Sequence, residues 1–492
     1  MYICRCIDKK LQPMKEEQKN NSRRDFLKMA AFGGAALGMA SVPGLANAAG
    51  LNAEDSTVEQ NGKINETGKL HPAKGKSVMG LACAPLKTVR IGLIGIGMRG
   101  SGAVGRLMQI EGVEFKAFCD LVPGNVKNAN KTLTKGGFKA ATEYTAEGDW
   151  KKVCERDDID LIYTCTPWYL HTPVAVYAMK HGKHAASEVP AAMSLNECWQ
   201  LVDTAEETQR HCQMLENCCY DFFELATLNM ARNGVFGDIY HAEGAYNHDL
   251  RELKFDSKTG YYKMWRLEYA KKHNGNLYPT HGLGPVAQTL GINRGDRFDH
   301  LTSASTAQYG LSLYAKDNYG ENSPEFKQEY KLGDVNNTVI HTVKGKTILI
   351  QHNTTSPQPY SRIHRLIGTK GMAIKYPETQ IALSPAAHEF LKKDEFDALM
   401  KKYEHPLAKQ IGEKAKKVGG HGGMDFIMDY RLIYCLRNGL PLDQDVYDAA
   451  TWSSIVELSE LSVNNKSGSV EVPDFTRGAW EKAKPWPIVT VD

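Results

Sequence analysis

Gly95-Ile96-Gly97-Met98-Arg99-Gly100 follows directly on the apolar run Val89 to Ile94, and few folds accept three glycines at that spacing between a strand and a helix. The glycines have separate tasks: Gly95 makes a tight turn, Gly97 lets backbone approach a pyrophosphate, and Gly100 lets the helix lie against the strand. With 44 glycines in 492 residues, chance alone supplies roughly 0.35 such matches per chain, so context must carry the assignment. It does. Asp120 closes the next apolar run about 25 positions on, where a carboxylate accepts from a ribose 2′-hydroxyl and repels a 2′-phosphate. The expected cofactor is therefore NAD rather than NADP, with its phosphates on the helix N-terminus.

Short apolar runs at Val89–Ile94, Val113–Cys119, Leu161–Thr164 and His184–Ser187 alternate with helical patterns. This predicts an α/β, Rossmann-type doubly wound parallel sheet over residues 87–220, with residues 213–218 as its sixth strand. Beyond it, residues 240–246, 301–309, 339–343, 347–352 and 363–367 carry alternating or β-branched patterns. They predict a C-terminal α+β domain, residues 221–492, on a large, mostly antiparallel sheet. Helical patterns at 425–437 and 443–462 close the chain, the second returning to the first domain. The exposed face of the sheet offers a surface for a homo-oligomer.

The N-terminus reads as an export signal. Ser22-Arg23-Arg24-Asp25-Phe26-Leu27-Lys28 precedes an Ala- and Gly-rich apolar stretch and the small-residue site Ala46-Asn47-Ala48, which predicts a twin-arginine signal over residues 1–48 and a periplasmic or extracellular protein. Gly33, Gly34, Gly38, Pro43 and Gly44 interrupt the stretch, leaving it short of the ~20 apolar residues of a membrane span. The polar residues 49–86 read as a flexible tether. Outside the cytoplasm no free nicotinamide pool reoxidises a spent cofactor, so a catalyst there does best to borrow electrons and return them.

Net charge is +3 and the isoelectric point about 8.1, too balanced for a nucleic-acid groove. Of eleven cysteines, Cys4 and Cys6 fall in the leader, and the remaining irregular set fits neither a disulfide framework nor a zinc knuckle. No metal is expected; His248, Asp249 and His281 lack the spacing of a known ligand motif.

Thr166-Pro167-Trp168-Tyr169-Leu170-His171, then Gly182-Lys183-His184, then Glu188-Val189-Pro190, resembles the glucose-fructose oxidoreductase and inositol dehydrogenase superfamily. In its sugar dehydrogenases a lysine that assists proton transfer stands where this chain has Val189. With Met98-Arg99, Asn217, Trp265-Arg266 and Tyr278-Pro279-Thr280-His281, the chain is similar to the NAD-dependent α-N-acetylgalactosaminidase family of glycoside hydrolases. That resemblance implies cofactor contacts from Gly95, Gly97, Met98, Arg99, Gly100, Asp120, Trp168, Tyr169, Leu170, His171, Glu188, Val189, Asn217 and Tyr278. It implies substrate contacts from Tyr246, Arg266, Tyr278, Pro279, Thr280, His281 and Tyr360.

The expected reaction is oxidation of the sugar at C3, removal of the C2 proton, elimination of the C1 substituent, addition of water and return of the borrowed electrons. His281 is the first choice as base, with Tyr278 its partner; which of the two handles each proton is left to geometry. Arg266 is expected to hold a substrate oxygen, or alternatively to pair with Glu268. The glycine-framed His421 lines the sugar pocket or merely a loop. The alternative functions are a periplasmic NAD(P)-dependent sugar oxidoreductase and a sugar-binding protein with a vestigial cleft.

Overall fold

The computed structural model describes residues 67–69, 71–386 and 388–491; the export signal expected at residues 1–48 lies outside them. Strands β1 (Val89–Ile94), β2 (Val113–Cys119), β3 (Thr142–Tyr144), β4 (Leu161–Thr164), β5 (His184–Ser187) and β6 (Cys212–Met214) form one sheet in the order β3-β2-β1-β4-β5-β6, with every pair parallel. Helices cross between them, and β4 and β5 are buried at every position, as central strands of a parallel sheet covered on both faces are. The chain reverses its winding between β1 and β4, and the crevice beyond the carboxyl ends of those strands is where such a sheet takes its ligand.

The second sheet has eight strands: β7 (Ile239–Asn247), β8 (Phe298–Ser305), β9 (Asn336–Thr342), β10 (Thr347–Asn353), β11 (Arg365–Gly368), β12 (Gly371–Ile374), β13 (Gln380–Leu383) and β14 (Val470–Glu471). Their order is β13-β12-β11-β7-β10-β9-β8-β14. The β7–β10 pair is parallel and the others are antiparallel, as the mostly antiparallel expectation allows. In β9 and β10 buried and half-exposed positions alternate, the signature of a sheet with one covered face.

Two features join the sheets around a common core. The helix Thr280–Leu290 lies so close on β7 that a Cβ on Gly282 would sit 2.3 Å from the Ala245 nitrogen, and one on Gly244 would sit 2.3 Å from the Gly282 carbonyl oxygen. Only glycine at both positions permits that approach, and it brings His281 against Tyr246. The closing helices Met424–Asn438 and Val446–Asn464 return to the first domain, packing on the helices Met98–Leu107 and Leu195–Thr208 respectively.

The expected tether ends earlier than residue 86. Over residues 71–86 the chain is laid on the body: His71 stacks on Trp199 at 4.4 Å, Val78 is buried with its amide donating to the Tyr447 hydroxyl, and the Leu86 amide donates to the Leu436 carbonyl. The polar composition of this stretch hid these few anchors. The sixth strand also stops short, at Met214, because Asn217–Tyr220 turns into a 3-10 helix.

Candidate active site

The glycine motif forms an open cradle. Gly95 has φ +84°, and a Cβ there would lie 2.7 Å from the Cys165 carbonyl, whereas a Cβ on Gly97 would meet nothing within 4 Å. Gly100 is pressed against the strand end, its notional Cβ 1.9 Å from the Gly95 oxygen. The helix Met98–Leu107 begins with no side-chain cap and no acidic residue in its first turn, so its amides and positive end face the space before Gly97. Asp120 closes the cradle, accepting from the Ile96 amide at 2.6 Å and the Val122 amide at 2.8 Å, with lone pairs left for a ribose. Open space before uncapped amides, bounded by a carboxylate, fits the pyrophosphate and ribose of NAD.

The other expected cofactor residues divide by position. Met98 and Tyr169 are exposed at the rim. Trp168 is buried, its indole donating to the Val189 carbonyl at 3.2 Å. Leu170 instead packs into the apolar cluster with Ile94 and Val174. His171 is buried to 1% exposure, with its nitrogens 2.7 Å from the Pro190 and Thr166 carbonyls, so its ring braces the β4 and β5 loops.

Arg99 and Asn217 converge on a residue that sequence reasoning missed. Asp425, at the start of the helix Met424–Asn438, accepts from Arg99 at 2.7 Å and from the Asn217 amide, and lies 2.9 Å from His421 Nδ1 and 3.4 Å from Arg106. Arg99 also donates to Glu188 at 2.7 Å. Burial opposes ionisation of Asp425, but the His421 bond and the Arg99 and Arg106 charges outweigh it and hold the carboxyl well below its usual range.

The other side of the candidate site is built on the close-packed helix. His281 Nδ1 lies 2.8 and 3.0 Å from the two Glu216 oxygens, and Glu216 is fully buried just beyond β6. Burial alone would raise that carboxyl; the His281 ring and the Cys218 amide lower it below the ordinary range. An ionised carboxylate accepts only, so Nδ1 carries the proton, and in the neutral ring Nε2 presents a lone pair, 3.4 Å from the Tyr278 hydroxyl. Burial pushes the Tyr278 and Tyr246 hydroxyls upward, keeping both protonated at neutral pH. Pro279 and Thr280 are buried at the helix start and set its direction.

Tyr246 lies against Tyr278 with ring centres 4.4 Å apart, and its hydroxyl is 3.1 Å from His248 Nδ1. Burial, with the Arg266 charge, lowers His248 to about 4, so it is neutral. Tyr360 packs edge-on to His248 at 5.0 Å, half-buried. Arg266 does not pair with Glu268, which takes Lys271 at 2.6 Å; its guanidinium lies 4.6 to 5.1 Å from the centres of Trp168, Tyr261, Trp265 and Tyr278.

Asp249 turns away to a two-point contact with Arg251 at 2.8 and 2.9 Å. Among the described residues Glu216, Cys218 and His281 gather metal-type donors, but Nδ1 is already hydrogen-bonded to Glu216 and burial holds the Cys218 thiol well above its usual range. Sequence gave little warning of Glu216 or Asp425: one precedes Asn217, the other follows His421 by four residues.

Residues 220–482 match the family model for the C-terminal domain of glycosyl hydrolase 109, and residues 89–216 match the oxidoreductase family's NAD-binding Rossmann fold. The chain is 56% identical over 407 residues, 82% of its length and 96% of the relative's, to the alpha-N-acetylgalactosaminidase of Bacteroides fragilis. It is 54% identical to glycosyl hydrolase family 109 protein 2 of Phocaeicola vulgatus, across 83% of this chain and 100% of that one. Among solved structures, a levoglucosan dehydrogenase complexed with NADH and levoglucosan superimposes with a TM-score of 0.61 at 18% identity, over 78% of this chain and 99% of the other. An aldose-aldose oxidoreductase from Caulobacter crescentus gives 0.57 at 14% identity, over 78% and 100%. These two share the fold.

Proposed function

This chain belongs to glycosyl hydrolase family 109, and from that premise we propose how its residues carry out the reaction. The protein is a glycoside hydrolase that uses NAD, acting on terminal α-linked N-acetylgalactosamine, the activity for which its Bacteroides fragilis relative is named. The cradle of Gly95, Gly97 and Gly100 holds the pyrophosphate, and Asp120 the adenosine ribose. When bound, NAD supplies a reversible two-electron acceptor for a ring carbon of the sugar, so the glycosidic bond is cleaved by elimination with no net redox change.

The side chains move the protons. His281 Nε2, unprotonated while Nδ1 donates to Glu216, accepts the proton from sugar C2, and Glu216 stabilises the imidazolium that forms. Tyr278, kept protonated by burial and 3.4 Å from Nε2, relays protons: as the sugar hydroxyl is oxidised it takes that proton while its own passes to Nε2, the ring releases it to water before the C2 proton is taken, and the relay runs backward when the hydroxyl is restored. Arg266, with five donors and no carboxylate within 4 Å among the described residues, holds a substrate oxygen. Tyr246 and Tyr360 wall the sugar.

The His281–Glu216 dyad carries this reading. Val189, buried with its carbonyl bonded to Trp168, offers no amine where sugar dehydrogenases of the superfamily have one, which disfavours net oxidation. The test follows a chromogenic α-N-acetylgalactosaminide in deuterated water. Aglycone release with deuterium at C2 of the product and no net NADH is expected; release by protein stripped of NAD, without deuterium, would overturn it.

The twin-arginine pattern at residues 1–48 supports export, tested by fractionating cells with and without Arg23 and Arg24 replaced by lysine. The half-exposed face of the second sheet supports self-association, which sedimentation tests.

A further inference from the structure

Trp168, Tyr246, Arg266 and Tyr278 of the candidate site border a small cavity whose remaining lining is Leu250, Lys254, Leu277, Leu332, His352 and Thr354, with room for about one water-sized sphere. Its charge balance is unusual. Lys254 is 3% exposed, and among the described residues its ammonium donates only to Thr354, at 2.7 Å to the hydroxyl and 3.3 Å to the carbonyl. Neither Lys254 nor Arg266 has a carboxylate within 4 Å among the described residues, and Arg266 Nε has no partner. His352 is 2% exposed, and its Nδ1 also lacks a partner.

Two buried cations and an unpartnered ring nitrogen thus share one cavity without an acid. Buried charges normally find a counter-charge, because desolvation without one costs several kcal/mol. The nearest acids are engaged elsewhere: Asp249 with Arg251, and Asp334 with the Tyr309 and Gly310 amides and the Thr355 hydroxyl. We propose that this cavity is a binding site for one small inorganic anion, chloride, held by Lys254 Nζ, the Arg266 guanidinium and the Nδ1–H tautomer of neutral His352. Its size admits a monatomic ion and excludes phosphate or a carboxylate. Burial and the Arg266 charge bring Lys254 down to about 7, and a bound anion stabilises its ammonium form. The anion also sits behind Arg266 and fixes that side chain toward the sugar.

Crystals of the NAD-loaded protein, soaked with bromide in place of chloride, test the site directly. An anomalous peak in contact with Lys254 Nζ and Arg266 is expected; a cavity holding only water, with no anomalous signal, overturns the proposal. Melting in potassium chloride against potassium gluconate at equal ionic strength gives a second readout that needs no turnover. Chloride should raise the midpoint of the wild-type protein by several degrees and leave Lys254→Met unmoved. A rise of equal size in both proteins, or in neither, would refute it. If Lys254→Met does not fold, the bromide experiment on the wild-type protein decides alone.

Discussion

Replacing Glu216 by glutamine isolates the charge behind His281, the proposed base. The carboxylate touches His281 Nδ1 at 2.8 and 3.0 Å and is shut off from solvent, so its interaction with an imidazolium is little screened. With charge centres roughly 4 Å apart and an effective dielectric constant of ~20, the attraction is about 4 kcal/mol. Glutamine keeps the shape and one hydrogen bond, returning about 1 kcal/mol. The net loss of ~3 kcal/mol falls on the step that charges the ring, so kcat should drop by about two orders of magnitude at ~1.4 kcal/mol per decade.

Glu216 does not wall the sugar, so KM should stay within about threefold, the mark of an interaction made only in the transition state. Initial rates on the chromogenic substrate, with NAD content and melting temperature recorded for the same preparation, separate this effect from misfolding. Glu216→Asp, with the charge kept but drawn back by one methylene, should recover part of the rate. A Glu216→Gln enzyme with full NAD, a normal melt and kcat within threefold of wild type would refute the dyad.

Asp425→Asn leaves Arg99 and Arg106 without their shared carboxylate; NAD should then be lost on dialysis, with retention at least tenfold weaker and stability lower by about 3 kcal/mol, read from bound nucleotide and urea melts. Gly97→Val should fold normally yet purify without NAD, since its side chain enters empty space, whereas Gly100→Ala, meeting the Gly95 oxygen at 1.9 Å, should lower the melting temperature as well; equal melts for the two variants would contradict the cradle. Acid should destabilise the fold early. Burial holds His184 and His352 at about 3 and His364 and His405 at about 4, below the unfolded value of ~6.5, so the unfolded chain binds the extra protons. Stability from these groups is intact above pH ~6.5 and falls by up to ~1.4 kcal/mol per pH unit for each as pH drops toward the folded values; a urea midpoint unchanged between pH 7 and pH 5 would count against it.

Strands β1, β2, β4 and β5 were legible to the residue, because largely buried strands are rich in apolar residues and are cut off by glycine, proline or a charge. β3 was not: two of its three residues are exposed, so no run marks it. The β7–β10 pairing and the anchoring of residues 71–86 escaped for a related reason, since partners about a hundred residues or more apart leave no periodic trace.

Sequence alone determined the glycine cradle and the ribose carboxylate, which are local, and His281 and Tyr278, three residues apart on one turn of chain. Tertiary structure decided what those groups do. Glu216 meets His281 across 65 positions only because Gly244 and Gly282 let a helix touch a strand, and Asp425 reaches Arg99 across 326 because the closing helix packs back on the first domain. A pattern read along the chain reports which face of its own element a side chain occupies. Which charge waits on the facing element, and so which proton is held or released, is set by packing between elements.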